Sequence, residues 1–287
     1  LIFIVKIKNN MRVCIIGAGL SSYTLAKALV NQNIYVDILE EKKINLPDNS
    51  RTIGISKSNI EFFNEKIINI EKIIHKLNKI EIYSDNLEKQ KLINFGNNND
   101  HLFSIVKNYK LHEILEKNLS RSKYFRKINY KKKLNYSKDY DLVFNTDYNH
   151  LITKKYFNKK IEKDYNTSAF TGILHHYKIK NNTAFQIFTK YGPLAFLPLS
   201  QTMTSVVYSI EKKYIFKIKD IKNLILEFNK FYKIKKLDEL EKFDLKFSFS
   251  RNIFYKNILC FGDPMHKVHP LAGQGFNMTL RDIIIFN

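Results

Sequence analysis

The chain has 287 residues, 44% hydrophobic and 14% aromatic, enough for a sizeable core at the length where one domain begins to divide into two. Its formal charge of +21 invites a nucleic-acid reading, but Arg, the residue suited to forked phosphate and base contacts, fills only six of the 48 basic positions and the lysines are spread along the chain. That pattern excludes a nucleic-acid groove and leaves a solvated basic surface, with peripheral attraction to anionic lipid as the remaining electrostatic option.

The leading LIFIVKI is too short for a membrane span or a secretory signal, and MRVCIIGAG begins a strand at Met11, so residues 1–10 are set aside as a non-native extension. Residues 11–16 read as a strand, 20–32 carry helical spacing through Leu20, Tyr23, Leu25, Ala26, Leu29 and Val30, and 34–39 are again strand-like, which makes a βαβ unit. Residues 56–79 read as mainly helical, 80–107 as short strands broken by NFGNNND, 109–120 as a helix, and YDLVFN at 140–145 as a buried strand. From 168 to 218 the runs SAFTGILHHY, TAFQIFT, LAFLPL and TSVVYSIE predict an antiparallel sheet. A lysine-rich helix at 219–233, the apolar strand NILCFGD and a helix from near Asn277 follow. The fold class is therefore α/β: a Rossmann-like domain with a parallel sheet, interrupted by a mostly antiparallel β-sheet domain. Cys14 and Cys260 each lie in an apolar run, which excludes a disulfide framework and predicts buried thiols in a reducing, cytoplasmic setting.

Gly17-Ala18-Gly19-Leu20-Ser21-Ser22 joins the first strand to the first helix. The first glycine permits the tight turn, the second lets a pyrophosphate approach the backbone, and Ser22 is small enough for close helix–strand packing. Glu40, 23 positions after Gly17, ends the second strand where it can accept from the ribose hydroxyls of an adenosine. This unit predicts an adenine-dinucleotide site without deciding between FAD and NAD.

Residues 259–282, LCFGDPMHKVHPLAGQGFNMTLRD, bear on that choice. If the strand ending at Gly262 lies beside the strand ending at Gly17, Asp263 is placed to bind a ribityl chain, which FAD has and NAD lacks. Gly273-Gln274-Gly275 can then present backbone amides, and a helix from near Asn277 directs its positive end at a flavin's pyrimidine edge. His266 and His269, three apart and without a further Cys or Glu nearby, do not complete a metal shell, and no metal is expected.

With GAGLSS, Glu40, SRTIGISKSNIEFF from Ser50, NTAFQIFTKYGPLAFLPL from Asn182 and GDPMHKVHPLAGQGFNMTLRD from Gly262, the chain resembles the FAD-dependent aromatic hydroxylases of the para-hydroxybenzoate hydroxylase type, and within them the ubiquinone-biosynthesis branch. The resemblance implies that Gly17, Gly19 and Glu40 hold the ADP half of FAD, that Arg51 lies near the cofactor, that Asp263 binds the ribityl chain, and that Pro270 and the loop from Gly273 to Asn277 border the isoalloxazine. It implies NAD(P)H as reductant, oxygen delivered from flavin C4a, and a phenolic substrate, a polyprenylated ubiquinone precursor. It also implies a place in a ubiquinone-biosynthesis complex at the inner face of the membrane. No side-chain acid or base is assigned. FAD-binding segments are expected at 11–66, 105–147 and 250–287, with a substrate domain at 67–104 and 148–249.

Two features depart from the family. A strand there leads into Asp-Gly, whereas NTDYNH keeps Asp147 and has Tyr148 in place of the glycine, where a side chain would crowd any conformation that needed glycine. The family also continues into further helices, which are expected to be missing beyond Asn287. These departures keep two alternatives open: an FAD-binding scaffold without turnover, and another flavoenzyme of the same fold, such as a reductase.

Overall fold

A computed structural model describes residues 11–40, 51–85, 91–96, 101–129, 136–268 and 274–285. In chain order, β1 (Arg12–Ile16), α1 (Leu20–Asn31) and β2 (Tyr35–Glu40) form the opening βαβ unit. β3 (Thr52–Ser56) enters α2 (Lys57–Phe62), whose last turn widens over Phe63–Ile67. β4 (His75–Leu77), β5 (Lys79–Ser84), β6 (Lys91–Gly96) and β7 (Phe103–Lys107) precede α3 (Asn108–Leu119), β8 (Phe125–Asn129) and the single turn α4 (Tyr136–Asp139). β9 (Leu142–Asn145) and α5 (Leu151–Tyr156) lead to the long β10 (Lys160–His176), then β11 (Thr183–Thr189), β12 (Gly192–Pro198), β13 (Met203–Glu211), α6 (Lys212–Ile215), α7 (Ile221–Phe228), β14 (Ile234–Leu237) and β15 (Glu241–Ser250). The described chain closes with β16 (Phe254–Tyr255), β17 (Ile258–Cys260), β18 (His266–Lys267) and α8 (Gln274–Ile285).

One sheet has six strands in the order β16-β17-β9-β1-β2-β8, all parallel except the β16–β17 hairpin. Its strands are apolar on both faces because both faces are covered. Val13 and Ile15 of β1 pack with α1, α3 and α8 residues such as Leu25, Leu115 and Leu280, while Cys14 and Ile16 point into a second cluster with Val143, Phe157 and Cys260. Burial pushes both thiols up to about 12, so they stay protonated and inert.

A nine-stranded sheet runs β18-β15-β10-β13-β12-β11-β5-β6, with β14 also paired to β10. It is antiparallel apart from β11 beside β5. An aromatic core of Phe196, Tyr208, Tyr232 and Phe231 separates it from α7. β3, β7 and β4 form a small antiparallel sheet between the two, and Thr52 of β3 donates to Ser205 of β13 at 2.9 Å.

The helix expected over 56–79 stops at Ile67. Asn31 of α1 donates to the carbonyls of Lys66 and Ile67 at 2.8 and 2.9 Å, and Asn64 accepts from the Ile70 N–H at 2.8 Å, which terminates the helix and turns the chain. The strand ending toward Gly262 is likewise not beside β1. β9 lies between them, pairing with both, so Cys14 and Cys260 belong to strands one apart.

Candidate functional site

Three turns meet beyond the C-terminal ends of β1, β9 and β17, the end of a parallel sheet where such folds bind ligands. The first is the glycine turn. Gly17 has φ +108°, a conformation that L-residues rarely adopt, and its N–H donates to Leu39 O at 3.0 Å. A Cβ on Gly17 would stand 2.6 Å from Thr146 Oγ1 and 3.4 Å from Asp147 N, so the turn after β9 is pressed against it. Gly19 differs: it caps α1 with φ −77°, and a Cβ there would meet no described atom within 4 Å. Neither backbone strain nor packing against described residues requires glycine at that position, so the space before the α1 amides is open.

Ser22 is fully buried, and its hydroxyl lies 2.6 Å from that of Thr146, which itself donates to Ile16 O at 2.8 Å. Ser22 is thus a packing residue beneath the turn. His112 of α3 adds support, donating from Nε2 to Ala18 O at 3.1 Å with Tyr23 edge-on to its ring. Glu40 ends β2, partly buried and one residue past the carbonyl that anchors Gly17.

In the turn after β9, Asp147 Oδ1 accepts from Asn149 N at 2.8 Å and its carbonyl accepts from Thr153 Oγ1 at 2.6 Å. Tyr148 does not have a positive φ. Its hydroxyl donates to Glu162 at 2.9 Å, and its ring lies 3.7 Å from Lys160 Nζ and 5.6 Å from Lys267 Nζ. The backbone here is not one that requires glycine, so the tyrosine crowds no such conformation, and the ring has its own berth at the start of β10.

The third turn carries Asp263. β17 belongs to the parallel sheet and β18 to the nine-stranded one, so residues 261–265 cross from one to the other. Gly262, at φ +64°, sits against Ser21 of α1: an added Cβ would lie 3.3 Å from that side chain. Asp263 is solvent-accessible, yet protein surrounds it closely enough that burial pushes its carboxyl up from the ordinary range, while Lys267, His266 and Arg51 pull it back. An accessible carboxylate that is also partly desolvated is suited to accepting hydrogen bonds from hydroxyl groups.

Arg51 acts on Asp263 through its charge, but its guanidinium lies over Phe243 at 5.5 Å and 3.7 Å from Glu241. Gln274 and Gly275 open α8. Asn277 is committed elsewhere: its Oδ1 accepts from Ser56 N at 3.0 Å and Asn59 Nδ2 at 2.7 Å, and its Nδ2 donates to Gly54 O at 2.8 Å, clamping α8 to β3 and α2. Pro270, Gly273 and His269 lie outside the described residues. His266 pairs with Asp282 at 2.6 Å, and no group of three or more His, Cys, Asp or Glu able to hold a metal occurs among the described residues.

Sequence reasoning overlooked Thr146, His112 and Asp282. His112 carried a signal, a polar ring between Leu111 and Leu115 on the apolar stripe of α3, whereas Thr146 needed the strand order to be known.

No family model matches the chain. The mitochondrial ubiquinone biosynthesis monooxygenase COQ6 of Homo sapiens is 26% identical over 166 residues, 44% of this chain and 36% of that protein, so the chain matches about a third of the human relative's length. The COQ6 of Dictyostelium discoideum is 22% identical over 395 aligned positions, covering 98% of this chain and 79% of the relative. Among solved structures, PqsL of Pseudomonas aeruginosa, described as a probable FAD-dependent monooxygenase, superposes with a TM-score of 0.78 at 14% identity over 96% of this chain and 84% of that one. No described helix is long and apolar enough to cross a membrane. The chain has the Rossmann-like fold of the FAD-dependent aromatic monooxygenases, and its sequence resembles the ubiquinone-biosynthesis members of that group.

Proposed function

We propose that this chain binds FAD and hydroxylates an aromatic, phenolic ring with NAD(P)H as reductant, its substrate being a prenylated quinone precursor. The observation that carries the reading is the meeting of a glycine turn open at Gly19 with an accessible, partly desolvated Asp263 at the ends of the parallel strands. A nicotinamide dinucleotide alone gives no use to the second of these.

The residues present fit the group. The α1 amides after Gly19 would face the pyrophosphate, Glu40 the ribose, and Asp263 the ribityl hydroxyls, with Arg51 and Lys267 supplying positive charge beside it. Gln274 and Gly275 at the start of α8, together with Pro270 and Gly273, would border the ring system. Ser22 and Asn277 would act indirectly, by holding α1 and α8 in place. When bound, the flavin supplies hydride acceptance and oxygen activation; the chain's part is to bind, orient and exclude water.

The substrate class is supported by the sequence likeness to the ubiquinone-biosynthesis enzymes and by an aromatic small molecule in a fold relative, since PqsL has been crystallised with 2-aminobenzoylacetate. Turnover is favoured over a scaffold role by the berth of Tyr148, which meets the main sequence objection to it. The same likeness makes a ubiquinone-biosynthesis complex and a membrane-adjacent site the setting to test. The decisive experiment is stopped-flow reduction of the FAD-loaded chain by NADH and NADPH, with and without prenylated phenols, followed by product analysis. Reduction with hydroxylated product supports the reading; FAD that binds but is never reduced leaves a scaffold.

A further inference from the structure

His266 is 3% exposed, and its Nε2–H donates to Asp282 Oδ2 at 2.6 Å across 16 residues of chain. The histidine follows directly on the crossing turn, whose geometry is tight: the N–H groups of Met265 and His266 both donate to Gly262 O, at 2.9 and 3.0 Å. The imidazole is therefore fixed relative to Asp263, while Asp282 belongs to the third turn of α8. Among the described residues, α8 is also tied to the body by the neutral Asn277 clamp and the apolar contacts of Phe276, Leu280 and Ile283. A titratable pair thus joins the helix to the turn.

We propose that His266 and Asp282 form an ionic latch that positions α8 against the Asp263 turn, and that opening it at alkaline pH weakens FAD binding. The ligand half of this rests on the flavin reading above. Two carboxylates act on the imidazole, Asp282 of α8 through the hydrogen bond and Asp263 of the turn through its charge, while Lys267 and Arg51 act in turn on Asp263. Burial alone would lower the imidazole's pKa, but the bond to Asp282 and the charge of Asp263 outweigh it and hold the pKa above the ordinary histidine value. A group raised in the folded state contributes fully below its unfolded pKa, and its contribution is lost as pH rises through the folded value. Above that point Asp282 keeps only a neutral N–H donor in place of an ionic partner, and Asp263 loses a neighbouring positive charge.

The test uses wild type, His266→Gln and Asp282→Asn between about pH 6 and 9, the range across which a raised histidine titrates. FAD affinity is measured by flavin fluorescence, and amide exchange is followed in the peptide covering α8. In wild type, affinity and α8 protection should fall together as pH rises. Asp282→Asn should bind FAD about tenfold more weakly at the acid end, with its transition displaced to lower pH. His266→Gln, which keeps a neutral hydrogen bond and the fold, should show the alkaline behaviour throughout and no transition. Wild-type exchange and affinity in both variants across the range would overturn the latch. A wild-type chain that binds no FAD overturns the flavin reading and the ligand half of the proposal, and exchange at α8 then decides the latch by itself.

Discussion

Gly17 and Gly19 are two residues apart and should respond oppositely to alanine. At Gly17 the new Cβ meets two obstacles. The φ of +108° disfavours any L side chain, and Thr146 Oγ1, 2.6 Å from the Cβ position, is held by bonds to Ile16 O and Ser22. Backbone strain of about 1–3 kcal/mol and overpacking of about 1–3 kcal/mol put the destabilisation at about 2–6 kcal/mol. At Gly19, with φ −77° and no described atom within 4 Å, the loss of a favourable N-cap of about 0.5–1 kcal/mol is offset by about 0.4–1 kcal/mol from a less flexible unfolded chain. Stability should then change by about 0.5 kcal/mol or less. FAD affinity should nevertheless fall about tenfold or more, because the methyl occupies the space through which a phosphate approaches the α1 amides. Urea denaturation followed by far-UV circular dichroism gives the first quantity and flavin fluorescence the second. Equal destabilisation at the two positions, or undiminished FAD affinity in Gly19→Ala, would falsify the division of labour.

The remaining expectations are sharper for structure than for turnover. Asp263→Ala should cost FAD affinity about 1.5–3 kcal/mol without lowering the melting temperature, and a variant that binds FAD like wild type removes the ribityl role. Asn277→Ala leaves the Ser56 N–H, the Asn59 amide and Gly54 O without that partner, so a thermal scan should show a loss of about 2–4 kcal/mol; a smaller effect means water replaces the clamp. Tyr148→Gly should leave the rate of flavin reduction by NAD(P)H within about twofold, since the ring already lies against Lys160 and donates to Glu162; a marked acceleration would show that it obstructs the path. Glu81 supplies the acid limb of stability. Burial raises its carboxyl, but Lys79, Lys91 and the Tyr83 hydroxyl outweigh that and hold it at about 2, so its contribution is present above the ordinary glutamate range and lost as pH falls toward 2. Glu81→Gln should flatten the stability profile there.

The glycine turn was legible because strand, turn and helix are contiguous, so spacing alone carries the geometry. Strand order is not contiguous information. YDLVFN announced a buried strand, but only its two-sided burial, with Phe144 in one core and Val143 in the other, shows that it needs neighbours on both sides and so belongs between β1 and β17. The misplaced helix over 68–79 has a local cause as well: the isoleucine-rich run fits an amphipathic helix by period, while the side chains that end the helix, Asn31 and Asn64, act across space or from within the run. Among the candidate residues, charge and residue type pointed to Asp263, Glu40, Arg51 and Asn277 alike, but only the structure shows that Arg51 also engages Glu241 and that Asn277 clamps α8 to β3 and α2.

The crossing turn explains why these departures need not mean decay. Because residues 261–265 pass from the parallel sheet to the nine-stranded one, Asp263 is anchored on both sides, by β17 paired with β9 before it and by β18 paired with β15 after it. The turn after β9 lies beside the same crossing, and there Tyr148 reaches Lys160 of β10 and Lys267 of β18, bridging from the parallel sheet to the other. A glycine at 148 would supply no such bridge. Replacing a conformationally free residue with a tyrosine that has a hydrogen-bond acceptor and two cations for partners adds order at the site boundary. Erosion of a site loosens such contacts, whereas Tyr148 makes three of them.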